Sequence, residues 1–352
     1  MSLNNPYDVR IMGIGGTVEM VNLSSFVTGV RWNRPLDSWD EAVVQIGPVS
    51  AECCAKMMYV RPWMHELWIR LGGETVFVGP IIRPVPAAGV GAVNARGLAY
   101  WFDVRFVRDA YNTTGAPAPI SDAVTHIITS ALTVSDPNML DFITVDACAT
   151  NNEREIDPNT FPIAWSDQLR QIIGTYMHMS SLGRELKFWC LNDCIGFLPD
   201  LPATDLLNDV PFTFDGDEFT THAAVSNGLS TGTFAGEAGG IDATYNLLVE
   251  RKFIDASITS DATGALAAAN KLTRDAPLRV GDTKDLRMEL TSGCTTWIPS
   301  RVQAGMCGLV EFRGCGRIVR PVMVTTVGGE WSAGSDQISD KIYVAVQERV
   351  IV

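Results

Sequence analysis

Apolar and polar residues alternate along much of the first hundred positions of the chain. Val9 and Ile11 form one such run, Val30 and Trp32 another, and Ala42, Val44 and Ile46 a third. A period of two puts every second side chain on one face, which is the pattern of a half-buried strand. The clearest hairpin is Leu67-Trp68-Ile69-Arg70-Leu71, then Gly72-Gly73, then Glu74 to Val78. Tight hairpin turns need positive φ, which glycine adopts freely. A two-residue turn sets Ile69 opposite Val76 and Leu67 opposite Val78.

The period lengthens in the middle. Ser121 is placed to cap a helix whose apolar positions are Val124, Ile127, Ile128 and Ala131. Asp136-Pro137-Asn138 ends that region. A second helix is predicted from about Ser166, with Leu169, Ile172, Ile173 and Tyr176 on one face and Trp165 extending it. A hairpin is expected next, with Leu186, Phe188 and Cys190 returning through Asn192-Asp193 to Ile195 and Phe197. A two-residue turn there puts Cys190 opposite Ile195 and turns Cys194 to the other face. A three-residue turn would pair the two cysteines but set Gly196 on the apolar face, so the unpaired register is favoured.

From Asp200 the pattern returns to strands. Asp215-Gly216 reads as a turn between Phe212/Phe214 and Phe219. Ser230 to Gly240 is rich in Gly, Ser and Thr and reads as a mobile loop. Asp261 is placed to cap a third helix through Leu266, Ala269 and Leu272, and strands run from about Arg287 onward. No repeat is visible. The order is β, then α/β, then β with one helix.

A chain of 352 residues is long for one core, so two or three subdomains are expected. Charged residues make up 19%, which suits a protein that hides surface against other subunits. With 27 Lys and Arg against 40 Asp and Glu, the formal charge is −13. Such a surface repels phosphates and argues against ordinary DNA binding; it serves solubility in the first place, and it also suits a conduit through which DNA slides. The opening MSLNNPYDVR lacks the basic and apolar regions of a secretory signal. No apolar run reaches the roughly 18 residues of a membrane span. Cytoplasmic synthesis is the expectation, and with it eight cysteines held as free thiols.

Candidate chemistry is thin. Gly228-Leu229-Ser230-Thr231-Gly232 matches the serine-hydrolase pattern, but its chemistry needs a helix after the serine and a histidine later in the chain. The following residues suit a helix poorly, and the last histidine is His222. Gly13-Ile14-Gly15-Gly16 partly matches a dinucleotide loop but leads into β-like Thr17 to Met20. His65, His126, His178 and His222 lack metal-binding spacing, and the adjacent Cys53-Cys54 suits strand packing better than zinc. Asp215-Gly216-Asp217-Glu218 lacks the ligand spacing of an EF-hand. Trp101, Trp165 and Trp189 lie in apolar contexts, which favours packing over sugar stacking. No catalytic, cofactor-binding or metal-binding residue is assigned.

Three stretches resemble the minor tail, or baseplate hub, proteins of long-tailed (siphovirus) actinobacterial phages. The first is Trp32-Asn33-Arg34-Pro35-Leu36-Asp37 through Glu41-Ala42, with Pro62-Trp63-Met64-His65-Glu66-Leu67-Trp68-Ile69 and Val78-Gly79-Pro80-Ile81. The second is Ala95-Arg96-Gly97-Leu98-Ala99-Tyr100-Trp101-Phe102-Asp103-Val104-Arg105. The third is Trp165 to Leu169, followed by Arg184 to Phe197. Together they span roughly the first two-thirds of the chain, and the last third matches only in pattern.

The resemblance implies a mainly β fold with an α/β middle, in which two tube-like β-barrel regions flank a helix-plus-hairpin region. The corresponding boundaries are 1–110 for an N-terminal barrel, 111–200 for the α/β region, and 201–352 for a C-terminal β-rich region with one helix. It implies a non-enzymatic homotrimer without cofactor, whose six barrels meet a sixfold tail tube at the virion's tail tip. Its implied partners are the distal tail protein, the tape measure protein, a central fibre or other minor tail proteins, and passing DNA held without specific binding. Since the chain stops at Val352, the host-contacting fibre is expected to be another chain. A sixfold distal-tail or peripheral baseplate ring subunit is one alternative, and a tail-associated cell-wall hydrolase is another.

Overall fold

The computed structural model describes residues 5–85, 91–106, 109–114, 116–132, 142–149, 151–152, 156, 165–207, 214–215, 220–241, 248–256, 258–275, 279–280, 286–314, 316–333 and 338–348. The N-terminal part contains β1 (Tyr7–Gly13), β2 (Glu19–Asn22), β3 (Val27–Pro35), β4 (Glu41–Ile46), helix α1 (Ala51–Met57), β5 (His65–Leu71), β6 (Glu74–Val85) and β7 (Gly91–Arg96). Val9, Ile11, Val30, Trp32, Ala42, Val44 and Ile46 are all buried, as their alternation predicts. Cys53 and Cys54 lie on α1 and not on a strand. Ser50 starts that helix by accepting from the Cys53 amide at 3.2 Å. The Gly72-Gly73 hairpin forms as expected, with Leu71 opposite Glu74 and Arg70 opposite Thr75. Beyond it the register shifts, so Ile69 faces Phe77 and Leu67 faces Gly79. A bulge inserts one extra residue, which moves every later pair by one.

The middle part holds a 3-10 turn (Leu98–Val104), β8 (Ala118–Pro119), α2 (Ile120–Leu132), β9 (Ile143–Val145), β10 (Asn151–Asn152), α3 (Trp165–Ile172), β11 (Met177–Leu182) and β12 (Glu185–Cys190). Val124, Ile127 and Ile128 of α2 and Leu169 and Ile172 of α3 bury their predicted faces in one core with Phe102, Met177 and Phe188. Ser121 lies inside the first turn of α2 and not at its cap. The side chains of Ala131 and Trp165, and all of residues 136–138, lie outside the described residues. The expected hairpin at residues 186–197 is corrected. Strand β12 pairs with the preceding β11, Met177 opposite Cys190 and Leu182 opposite Glu185. The turn between them has Gly183 at φ +59°, and Phe197 is exposed. Strand β9 joins β12 in parallel, making a three-stranded sheet.

The last part holds β13 (Phe214–Asp215), β14 (His222–Ser226), β15 (Ala235–Gly239), β16 (Glu250–Ile254), α4 (Asp261–Asp275), β17 (Arg279–Val280), β18 (Leu286–Leu290), β19 (Cys307–Gly314), β20 (Gly316–Ala333) and β21 (Ile338–Glu348). The Gly-rich segment is only partly a loop, since β15 pairs with β14 along its whole length. Gly236 and Gly239 serve close packing, whereas Gly232 and Gly240 have open space beside them. A Cβ at Gly236 would lie 1.9 Å from the Ala265 amide nitrogen of α4. Helix α4 starts through a reciprocal pair, Ser260 Oγ accepting from the Thr263 amide and Thr263 Oγ1 accepting from the Ser260 amide. Ala267 and Ala268 are buried while Ala269 is exposed, so the buried face sits slightly off the predicted one.

Strands from both ends of the chain share one eleven-stranded sheet in the order β18-β21-β20-β3-β4-β7-β6-β5-β1-β2, with β19 on β20. The link is β3 against β20, Pro35 opposite Thr326 and Gly29 opposite Ser332. Among the described residues this path stays open. Its core joins Trp32, Phe77 and Ile11 to Phe312, Trp331 and Val344. A separate small sheet, β15-β14-β16, packs on α4 around Ala223, Val225 and Ala268.

Candidate functional site

A cluster of buried polar groups lies where the N-terminal strands meet β11 and β12. The chain leaves β3 at Pro35 and turns through Asp37, which has φ +58°. That conformation aims the Asp37 carboxylate at β11. Its oxygens accept from the Met179 amide and contact His178 Nδ1, each at 2.8 Å. Three residues on, Asp40 is buried and accepts from Ser181 Oγ. Glu66 of β5 meets Arg184 in the β11–β12 turn, Nη1 to Oε2 at 2.7 Å. Arg34 is buried beneath, donating through Nη2 to the carbonyls of Pro299 at 2.5 Å and Val302 at 3.0 Å, with its guanidinium 5.2 Å from the Trp32 ring.

Burial dominates the electrostatics of this joint. It pushes the Asp40 carboxyl up to about 6, against the opposing pull of Ser181 and Arg34. The same desolvation lowers Arg34 to about 10. Glu66 also sits above its ordinary value, because burial outweighs Arg184 and Trp68. These groups face protein partners inside the fold, so their arrangement fastens one module to another. Among the described residues, no three His, Cys, Asp or Glu side chains converge to hold a metal.

The sequence candidates fall elsewhere. Ser230 is exposed in the β14–β15 turn, and a strand follows where an elbow serine needs a helix. Gly15 and Gly16 form a turn with positive φ between β1 and β2, and Gly16 packs against Trp68. His65 accepts from the Arg61 amide through Nδ1, and His126 tilts against Tyr111. His222 lies between Glu237 and Glu250 on an open sheet face. Trp189 is buried, while Trp101 is half-buried against Trp63. Residues 216–218 of the acidic turn lie outside the described residues.

The expectation of free cysteines is overturned for four of them. Cys148 is joined to Cys190 and Cys194 to Cys307. Cys190 and Cys194 are indeed not paired with each other, but each has a distant partner. Cys53, Cys54 and Cys294 are free thiols. Sequence reasoning also missed the joint. Glu66, Ser180 and Ser181 are polar positions within otherwise buried strand runs, and that was the available signal.

An open groove of about 310 Å³ lies on the outer face of β3, β4 and β20, beside Arg31, Gln45 and Glu330. Arg31 and Arg287 both approach Glu330 at 3.7 Å, beside the apolar Val30, Val43 and Trp331 of the same lining. Exposed apolar side chains are concentrated elsewhere. Met58, Tyr59 and Met64 flank Trp63, which holds φ +64° and stacks on Tyr100 at 5.5 Å. Leu229, Ile241 and Ile254 are exposed around the small sheet. No described helix is long and apolar enough to cross a membrane.

No protein-family model matches the chain, and no curated protein matches it. Solved structures do. A tail protein from Neisseria meningitidis MC58 superimposes with a TM-score of 0.61 at 12% identity, over 98% of this chain and 97% of that one. The 43 kDa tail protein of prophage MuSo2 from Shewanella oneidensis gives 0.59 at 10% identity, over 97% and 96%. The c3393 protein of E. coli gives 0.51 at 10% identity, over 93% of this chain and 74% of that one. It is a type VI secretion component similar in structure to the T4 bacteriophage tail proteins gp27 and gp5. The chain shares the fold of the two tail proteins over nearly the whole of both chains, and that of the larger part of the c3393 protein.

Proposed function

We propose that the chain is a structural hub subunit of a bacteriophage tail tip, of the kind found in long-tailed actinobacterial phages. The observation that carries this reading is the end-to-end likeness to phage tail proteins, which covers at least 96% of both chains in the two best-covered cases. The likeness to a secretion component akin to gp27 and gp5 points to the hub among tail parts. Fold likeness alone is an analogy. What adds to it is the exposure of Met58, Tyr59 and Met64 near the Trp63–Tyr100 stack, since Met, Tyr and Trp are residue types enriched at subunit interfaces.

In this reading three copies close a ring, because heterologous interfaces that close leave no free sticky edge. Each copy supplies two tube-like barrel regions, within 1–110 and 201–352, around the α/β region 111–200. The six barrels adapt a sixfold tube to a threefold tip around the DNA channel. The distal tail protein lies above, the tape measure protein ends inside, and fibre or tip proteins attach below. The subunit positions other proteins and performs no chemistry.

Mass photometry of the purified chain, together with its copy number per virion, tests this. Three copies are expected. Six copies favour a distal or peripheral ring, and a monomer on the tail exterior removes the hub. Clearing of host cell walls in a zymogram would favour a hydrolase.

A further inference from the structure

The two disulfides occupy one place in the fold, the exit of the chain from the middle module. Cys148 follows β9 in the module core, and Cys190 ends β12. Cys194 lies four residues on, and Cys307 opens β19 of the large sheet. Between the two bridges is only the turn at Leu191 to Asp193, where the Asp193 amide donates to Cys190 O. The exit strand then runs beside the start of β19, with Ile195 N on Gly305 O and Cys307 N on Gly196 O. One bridge therefore staples the last strand of the module to its own core, and the other staples the outgoing chain to the C-terminal sheet.

Each pair is also asymmetric. Cys148 and Cys307 are buried at 1% and 0% exposure, whereas Cys190 and Cys194 are partly open to solvent. An exposed thiol meets an oxidant first, and a buried neighbour resolves it. On the reading that the chain assembles in a bacterial cytoplasm, these cysteines begin as thiols, because that compartment keeps thiols reduced.

We propose that Cys148–Cys190 and Cys194–Cys307 are oxidative modification sites, open during assembly and closed after release, which then clamp the middle module to the C-terminal sheet. The co-reactant is a low-molecular-weight disulfide. The Cys194 thiolate attacks one of its sulfurs, forms a mixed disulfide and releases one small thiolate. The Cys307 thiolate then attacks the Cys194 sulfur, forms the protein disulfide and releases the second. Two protein thiols are oxidised, the small disulfide is reduced to two thiols, and the two cysteine protons end on those products. Cys190 and Cys148 react in the same order. The proposal rests on the tail-tip reading for its timing, and on the cysteine geometry for its chemistry.

The test follows one full-length chain in two settings. Infected cells are lysed into a maleimide, and purified virions are aged in glutathione disulfide and then labelled. Peptide mapping should find all four cysteines labelled in the first sample. In the second it should find cross-linked 148/190 and 194/307 peptides that dithiothreitol releases. All four labelled in aged virions, or both cross-links complete inside cells, overturns the proposal. The purified chain is titrated in parallel against a reduced and oxidised glutathione series. Closure there with loss of four thiols, and a melting point falling by roughly 5–10 °C on reduction, is expected. Thiols that stay free throughout the series overturn the clamp. Absence of the chain from virions overturns the tail-tip reading, and the glutathione series then still decides the chemistry. Cys194→Ser should lose the 194/307 cross-link and keep 148/190.

Discussion

Glu66 and Arg184 are 118 positions apart and meet as a 2.7 Å ion pair, with 2% and 8% of their side chains exposed. The pair joins β5, the first strand of the Gly72-Gly73 hairpin, to the β11–β12 turn. It is costly to assemble, as burial holds Glu66 above its ordinary value even beside a guanidinium. A pair of this kind fixes where two modules dock more than it adds net stability.

Arg184→Met should therefore destabilise the fold by about 3–5 kcal/mol, because it strands a buried carboxylate. Adding Glu66→Leu should recover much of that loss. Urea denaturation of the two variants measures both steps. A single variant within about 1 kcal/mol of wild type would show that the pair is dispensable.

Asp40 gives the joint a pH signature. Burial, opposed by the Ser181 hydroxyl and Arg34, lifts its carboxyl from 3.8 to about 6 in the folded state. Between those values the folded chain holds a proton that the unfolded chain has released. Its contribution to stability is thus fully present below pH 4, falls as pH rises through 6, and is level above. Asp40→Asn should remove that slope, and the difference between wild type and variant should not exceed about 3 kcal/mol. Denaturation curves at half-unit pH steps from 4 to 7.5 measure it. Parallel slopes for the two proteins would exclude Asp40 as the cause.

Gly236→Ala should lower the melting point, since the added methyl would stand 1.9 Å from the Ala265 amide nitrogen. Separating β15 from α4 to admit it costs about 1–3 kcal/mol. The loss should be local. Hydrogen exchange should quicken in β14, β15 and α4 and stay unchanged in the eleven-stranded sheet. Uniform quickening would mean that the small sheet does not unfold separately.

The strands of the N-terminal part were legible because one face is dry. Val9, Ile11, Val30 and Trp32 must alternate when the other face meets water. The faces of α2 and α3 were legible for the same reason. Strand β11 was not, because Met177-His178-Met179-Ser180-Ser181 carries polar side chains inward to the joint and breaks the alternation. With β11 hidden, β12 is left to pair downstream, which gives the hairpin at residues 186–197 that the β11–β12 pairing replaces. The bulge near Ile69 and the disulfides were beyond local pattern too. Their partners are set by packing, and the cysteine pairs lie 42 and 113 residues apart. Of the joint, Arg34, Asp37, Asp40, Glu66 and Arg184 stand within stretches that the tail-protein resemblance singles out, whereas His178, Ser180 and Ser181 do not.

The last prediction concerns the −13 charge. If the chain collars a DNA channel, carboxylates should be over-represented on the wall facing the lumen, with few lysines or arginines there. Each cationic contact to phosphate adds a salt-dependent adhesive contribution. Summed around a ring, such contacts would hold a passing duplex, whereas a repulsive wall keeps it centred and mobile. Screening confines the effect to about 8–10 Å at physiological salt. Charges on the outer surface therefore contribute nothing to passage, and the wall composition alone decides. The measurement is a count of charged side chains facing the lumen in a reconstructed tail tip. An excess of basic side chains there, or equal numbers of both signs, would reject the idea and assign the acidity to the outside or to subunit contacts.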